Sequence, residues 1–369
     1  MQESFKLFDT GKFSPGNALA LAYAAQLAYP GARDINPDYK SDEELETDIE
    51  KKTCQAKQWG FDNFAYAYSH EKNILALIMG NRTDIIVAFR GTVSNNFSNW
   101  LTDIQLRPVP FGSFGKVHKG FRDALDSVWP EIRSHIGFTE NRNVRLTGHS
   151  LGGALALLAG ARFIDEYSEN LVKEIYTFGQ PRTGDKDFKQ AVNQSYLNGC
   201  VYKFANYNDM VTVVPPGMKK IIGYVDVGYI LYFNKEGLLD VKTHLSEFGT
   251  VMDFLTGYFR QQQLPDKKLK KKVHNWRTFR RYFKRKFREK QEPETGSTVE
   301  EGDWQRFKHF FTRELPKLPR RQRPQKALQM VMELFVRLFI KVNPYGVHTH
   351  VITTYIDNLK KNMDANLFD

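Results

Sequence analysis

One run constrains this chain more than any other: Val144-Arg145-Leu146-Thr147-Gly148-His149-Ser150-Leu151-Gly152-Gly153, followed at once by the Ala/Leu/Gly stretch from Ala154 to Ala161. A short apolar segment, a Gly-x-Ser-x-Gly turn and an Ala/Leu-rich helix together form the context of a nucleophile elbow. The glycines have a physical reason. A serine on a tight strand-to-helix turn sits in a strained backbone conformation, and only residues without a Cβ let the neighbouring segments approach it. The helix beginning just after Ser150 turns its N-terminal N–H groups and positive dipole end toward the place where an oxyanion would form. Ser150 is therefore the first candidate nucleophile. The five-residue pattern also occurs in ordinary loops, so its meaning depends on the strand before it, the helix after it and partners in the right order.

The surrounding chain supplies that context. Ser14-Pro15 starts a predicted helix that runs through an Ala/Leu-rich stretch toward Tyr29 and stops at Pro30-Gly31. Strand-like runs follow at Ala65 to Tyr68, Ile74 to Met79 and Asp84 to Phe89, the second and third joined by a Gly80-Asn81 turn that reads as a hairpin. The third ends in Arg90-Gly91-Thr92 and gives way to a polar loop, Val93 to Asp103, that carries Phe97 and Trp100. Such a loop is either a surface turn or a flap whose aromatics cover an apolar site. Beyond it, Val117 to Phe121 leads into a helix predicted from about Arg122 to Ile136. After the elbow come a strand at Ile175 to Phe178, a helix at Lys186 to Gln194 and a strand at Val201 to Ala205. Alternating strands and helices argue an α/β fold, a sheet flanked by helices.

An acid at the C-terminal end of a strand after the elbow is where a second triad member belongs, in the order serine, acid, histidine. Asp209, in Asn206-Tyr207-Asn208-Asp209, occupies that place, although an Asp there can equally close an Asx turn. Five histidines follow: His244, His274, His309, His348 and His350. His274 lies in a basic run and His309 on a predicted amphipathic helix. His348 and His350 sit in a Pro/Gly loop that opens a final helix of about ten residues, from which a side chain can turn back to the sheet. The order of preference is His350, then His348, then His244.

Composition narrows the setting. A chain of 369 residues with 14% aromatics can bury a substantial core. Its two cysteines, Cys54 and Cys200, form no framework and show no metal spacing; no metal and no cofactor are expected. No apolar run reaches the roughly 18 residues of a bilayer span. The N-terminus lacks the basic start of a signal peptide, so a cytoplasmic chain is expected. The net charge of +11 is local: Asp266 to Lys290 hold 13 Lys/Arg against 2 Asp/Glu, a surplus equal to that of the whole chain. A confined basic patch implies an anionic partner for that segment alone.

Together these residues resemble the class 3 lipase family, fungal-lipase-like members of the α/β-hydrolases. The resemblance rests on Phe89-Arg90-Gly91-Thr92, Asn99 to Asp103, Val117 to Phe121, Gly148 to Gly153, Phe178 to Arg182, and Asn208 to Val211 with Pro215-Pro216. It covers about Asn17 to Phe233 and the segment from Tyr345. It implies that Ser150 attacks an ester carbonyl, that the histidine takes its proton, and that Asp209 holds the imidazole. It further implies an oxyanion hole at Thr92 and the Leu151 N–H, and a lid over Val93 to Trp100 with Phe97 and Trp100 covering the site. Family members commonly carry Tyr five positions after the histidine, which His350 and Tyr355 match and His348 with Thr353 does not. The implied substrate is an acyl lipid: triacylglycerol, phospholipid or galactolipid.

The chain departs from compact members by a long insertion. Residues 1–256 read as the first part of the hydrolase core, 257–342 as a basic helical insertion and 343–369 as the return of the core. In the insertion, Trp276, Phe279, Phe283 and Phe287 recur at helical spacing, bordered by Arg280, Arg281, Lys284 and Arg285 among other cations. Such a helix suits an anionic membrane surface, giving a peripheral membrane protein. Its apolar stripe equally suits packing on the core. Nucleic acid is disfavoured, because no recognised nucleic-acid motif accompanies the charge. Oligomeric state is not written in the sequence. Two function classes follow: a serine-dependent esterase acting on lipid, or a catalytically idle membrane-binding scaffold on a hydrolase fold. An intact serine, acid and histidine set favours the enzyme.

Overall fold

The computed structural model describes residues 5–10, 12–30, 39–92, 108–136, 142–167, 171–207, 209–215, 223–240 and 350–365, with a few isolated positions between 309 and 330. Phe97, Trp100, His244, His348 and the whole aromatic-cationic stretch from Trp276 to Phe287 lie outside the described residues, as does nearly all of 257–342.

The chain opens with α1 (Pro15–Leu27), whose N-cap Ser14 accepts from the Asn17 N–H, and α2 (Asp42–Gln58), capped by Ser41 and led by three acids that suit the positive end of its dipole. Three antiparallel-connected strands follow: β1 (Asn63–Ser69), β2 (Ile74–Gly80) and β3 (Asp84–Phe89). The short strands β4 (Pro108–Pro110) and β5 (Lys116–His118) form a separate ribbon. The helix predicted from about Arg122 to Ile136 is instead two, α3 (Lys119–Asp126) and α4 (Trp129–Ile136). The break precedes Trp129-Pro130, where proline lacks the N–H that a continuous helix needs and fits only its first turn. Then come β6 (Asn143–His149), α5 (Leu151–Tyr167), β7 (Val172–Phe178), α6 (Lys186–Gln194), β8 (Val201–Asn206), β9 (Tyr229–Phe233), β10 (Leu239–Asp240) and α7 (Ile352–Asp364).

Among the described residues the main sheet runs β1-β2-β3-β6-β7-β8-β9-β10, parallel from β3 through β9 and antiparallel at both edges. Side chains two apart along a strand share a face. On β2, Ala76 and Ile78 join one core with α3 to α6, while Leu75, Leu77 and Met79 join the other with α1, α2 and α7. The strands are therefore buried on both sides, as central parallel strands must be. This is the α/β-hydrolase architecture expected of the sequence. Helix α7 closes the second face: Ile352, Tyr355, Ile356 and Leu359 pack there beside Leu21 of α1. The last described element thus rests on the first. Among the described residues no helix is long and apolar enough to cross a membrane.

Candidate active site

The site lies at the C-terminal ends of the parallel strands, where ligands of open α/β sheets bind. β6 ends at His149, Ser150 turns with φ +58°, and α5 begins at Leu151. A non-glycine residue in that left-handed region is strained, and the strain is held by surrounding contacts. The Ser150 N–H donates to the Phe178 carbonyl at 2.9 Å. Glycines allow the tight crossing: a Cβ on Gly148 would stand 2.3 Å from the Gly152 carbonyl carbon, and one on Gly152 only 2.1 Å from the Phe89 carbonyl oxygen. Ser150 is fully buried, and its Oγ has no hydrogen-bond partner among the described residues.

Asp209 stands in the turn after β8, where it caps the 3₁₀ turn Met210–Val213. Its Oδ1 accepts from the Val211 N–H at 2.9 Å, which is the Asx-type arrangement. That bond does not consume the carboxylate. Oδ2 accepts from His350 Nδ1 at 2.9 Å and from the Tyr355 hydroxyl at 2.5 Å. The Tyr355 hydroxyl in turn accepts from the Asn206 N–H at 3.0 Å, so the phenol bridges the end of β8 to the acid. Burial and the neighbouring Asp209 charge push the Tyr355 phenol well above its usual range, so it serves as a donor at any physiological pH.

His350 is buried just before α7. Donation from Nδ1 to a carboxylate leaves Nε2 as the basic nitrogen of the neutral ring. Gly179, at φ +60°, makes room for it: a Cβ there would lie 2.9 Å from both His350 Cε1 and Nδ1 and 3.0 Å from Asp209 Oδ2. Gly179 directly follows Phe178, whose carbonyl holds the Ser150 N–H, so the glycine joins the serine turn to the imidazole–carboxylate pair.

Thr92 and Leu151 flank the serine. A Cβ on Gly91 would stand 3.2 Å from Ser150 Cβ, so the chain end of β3 passes directly over the serine turn and carries half-buried Thr92 beside it. Leu151 opens α5, where first-turn N–H groups have no helical partner. The structure thus brings Ser150, Asp209, His350, Thr92 and Leu151 to one edge of the sheet. No cluster of three or more metal-ligating side chains occurs among the described residues.

Two neighbours escaped sequence reasoning. His149 fills the variable position of Gly-x-Ser-x-Gly, yet its ring is buried 4.6 Å from that of His350, and its Nε2 contacts the His350 carbonyl oxygen. Tyr29, at the exit of α1, places its hydroxyl 2.7 Å from His149 Nδ1. Burial first, and the adjacent His350 second, hold the His149 imidazole well below its ordinary range, hence neutral. The variable place in the motif gave no signal for either.

Comparison with known proteins finds similarity to lipases over part of the chain. Residues 86–219 match the family described as lipase (class 3). A lipase of Rhizomucor miehei is 35% identical over 40% of this chain and 42% of its own length. A secreted mono- and diacylglycerol lipase of Fusarium solani is 30% identical over 37% of this chain and 40% of its own, and lipase ZK262.3 of Caenorhabditis elegans 32% over 37% and 39%. The chain spans about two-fifths of the length of these curated relatives. Among solved structures, the Rhizomucor miehei lipase propeptide complex superposes with a TM-score of 0.45 at 25% identity, over 59% of this chain and 68% of that one. Through residues 86–219, the segment that holds the elbow and its acidic turn, the chain is similar to the class 3 lipase family.

Proposed function

We propose that the chain is a serine-dependent carboxylic ester hydrolase acting on acyl lipids. The observation that carries this reading is the buried Asp209–His350 bond set beside a serine on a positive-φ turn. In the reaction, His350 Nε2 takes the Ser150 proton as Oγ attacks the ester carbonyl. The carbonyl π electrons move onto the ester's carbonyl oxygen, where the Leu151 N–H and Thr92 stabilise the negative charge, and each oxyanion donor is worth about 2.7–4 kcal/mol in comparable sites. The imidazolium then gives its proton to the leaving alcohol oxygen, and the ester bond breaks to leave an acyl-Ser150. Water, deprotonated by His350, releases the fatty acid and restores the serine. Asp209 stays ionised throughout and stabilises the imidazolium. Glycerides are the first substrates to try, given the names of the relatives. Hydrolysis of a medium-chain chromogenic ester by wild type and Ser150→Ala tests the reading. Product release lost in the variant is expected; equal release by both overturns it and leaves the idle scaffold.

The same reading places the chain at a membrane, as a cytoplasmic, peripheral protein docked through Trp276, Phe279, Phe283 and Phe287 with Arg280, Arg281, Lys284 and Arg285. Phe97 and Trp100 act as the lid. Sedimentation with vesicles of anionic and of neutral lipid tests the docking. Stronger binding to anionic vesicles, lost on charge reversal at the four cations, is expected; equal binding after reversal counts against it.

A further inference from the structure

The proposed mechanism uses Ser150, His350 and Asp209 but gives no task to His149, which lies buried against them. Its two nitrogens have partners of different chemistry. A carbonyl oxygen only accepts, so Nε2, against the His350 carbonyl, must carry the proton. Nδ1 is then an acceptor, and the Tyr29 hydroxyl donates to it at 2.7 Å. The tautomer is thereby fixed from both sides of the ring. The backbone atom gripped belongs to the residue that supplies the base, 201 positions further along the chain, and the gripping residue directly precedes the serine. Asp209 restrains His350 only through its side chain; His149 restrains its main chain.

We propose that His149 is a positioning residue that clamps the backbone of His350 to the nucleophile turn, with Tyr29 setting the tautomer that makes the clamp possible. The inference rests on Ser150 and His350 being nucleophile and base. Both reacting groups then hang from one rigid unit: Oγ from the residue after His149, and the imidazole from the main chain that His149 holds. The neutral ring keeps a second positive charge away from the imidazolium that forms on His350. A ring present only for packing would be replaceable by any side chain of its volume.

The test uses the full-length protein and three substitutions. His149→Leu keeps bulk without a donor, His149→Gln keeps an N–H of similar reach, and Tyr29→Phe removes the tautomer-setting hydroxyl. On a medium-chain p-nitrophenyl ester, His149→Leu is expected to lower kcat about tenfold or more with KM little changed, the cost of a misplaced base. His149→Gln should recover most of that loss, and Tyr29→Phe should fall between. In parallel, the low-field proton resonance of His350 Nδ1–H, identified by its loss in Asp209→Asn, should persist in wild type and His149→Gln and shift or broaden in His149→Leu. Equal kcat in folded His149→Leu and wild type, or equal losses in the Leu and Gln variants, overturns the clamp. If His149→Leu does not fold, Tyr29→Phe decides: undiminished kcat with an unchanged resonance overturns the proposal. If wild type and Ser150→Ala release product equally, the esterase reading fails by itself, and the resonance alone decides whether His149 holds His350.

Discussion

Tyr355 Oη lies 2.5 Å from Asp209 Oδ2, the same oxygen that accepts the hydrogen bond from His350 Nδ1–H. A phenol from α7 and an imidazole from just before it therefore share one acceptor, and the acid is held in a fixed rotamer without spending charge. Tyr355→Phe removes one donor to a buried carboxylate and leaves the Asn206 N–H without its acceptor. Such a loss costs about 1.5–3 kcal/mol. The expected outcome is a lowered urea midpoint together with a fall in kcat, read by chemical denaturation and steady-state ester hydrolysis.

Gly179→Ala places a methyl group against the hydrogen bond between base and acid, 2.9 Å from the imidazole and 3.0 Å from the carboxylate. The backbone cost of alanine at φ +60° is about 1–2 kcal/mol. The catalytic cost is larger, because a displacement near 1 Å lowers rates by about 100-fold. Activity should thus collapse while the thermal midpoint moves by a few degrees, a split measured by kcat beside calorimetry.

Arg145 on β6 is buried between Asp84 of β3 and Glu174 of β7, with its Nε 3.3 Å from Glu174, and so stitches three adjacent strands through one guanidinium. Burial already raises the Glu174 carboxyl, with Arg145 holding it back. Arg145→Met leaves two carboxylates facing each other without a cation and should destabilise the fold by about 3–5 kcal/mol. Equilibrium unfolding measures the loss. Catalytic constants taken well below the new midpoint should stay near wild type, since the ion cluster lies at the opposite end of β6 from Ser150.

The acid limb of stability carries a signature of His149. In the unfolded chain its imidazole titrates near 6.5, whereas burial and His350 hold it well below that in the fold. Between the two values the unfolded chain binds a proton that the folded chain does not. Stability contributed by the neutral ring is therefore complete above 6.5 and falls as pH drops through the window beneath it, by at most about 1.4 kcal/mol per pH unit. His149→Gln should flatten that limb in a series of denaturant midpoints taken from neutral to mildly acidic pH.

Much of this arrangement is legible from residue order. The elbow announces itself because an apolar run, three glycines and an Ala/Leu helix have no other common use together, and β3, α6 and β8 follow from apolar runs of clear period. Helix α2 escapes that kind of reading: it is mostly charged, and only Leu45, Ile49 and Ala56 trace its buried apolar stripe. The split between α3 and α4 turns on Pro130, whose meaning depends on where a helix begins. His350 could be ranked above its rivals through Tyr355, five places on, and the bond from that phenol to Asp209 supplies a physical reason for the spacing. The clamp by His149 could not be foreseen, because both of its partners are distant in sequence, and one is a main-chain oxygen that carries no residue identity.

The docking of α7 against α1 has a consequence for the order of events during synthesis. Ser150 and Asp209 are made well before His350, and the sheet strands that carry them can pair at once. The base follows 141 positions after the acid. Until it arrives, the growing chain holds Ser150 without His350, and any chain released before that point would also lack α7 and so leave the second face of the sheet open.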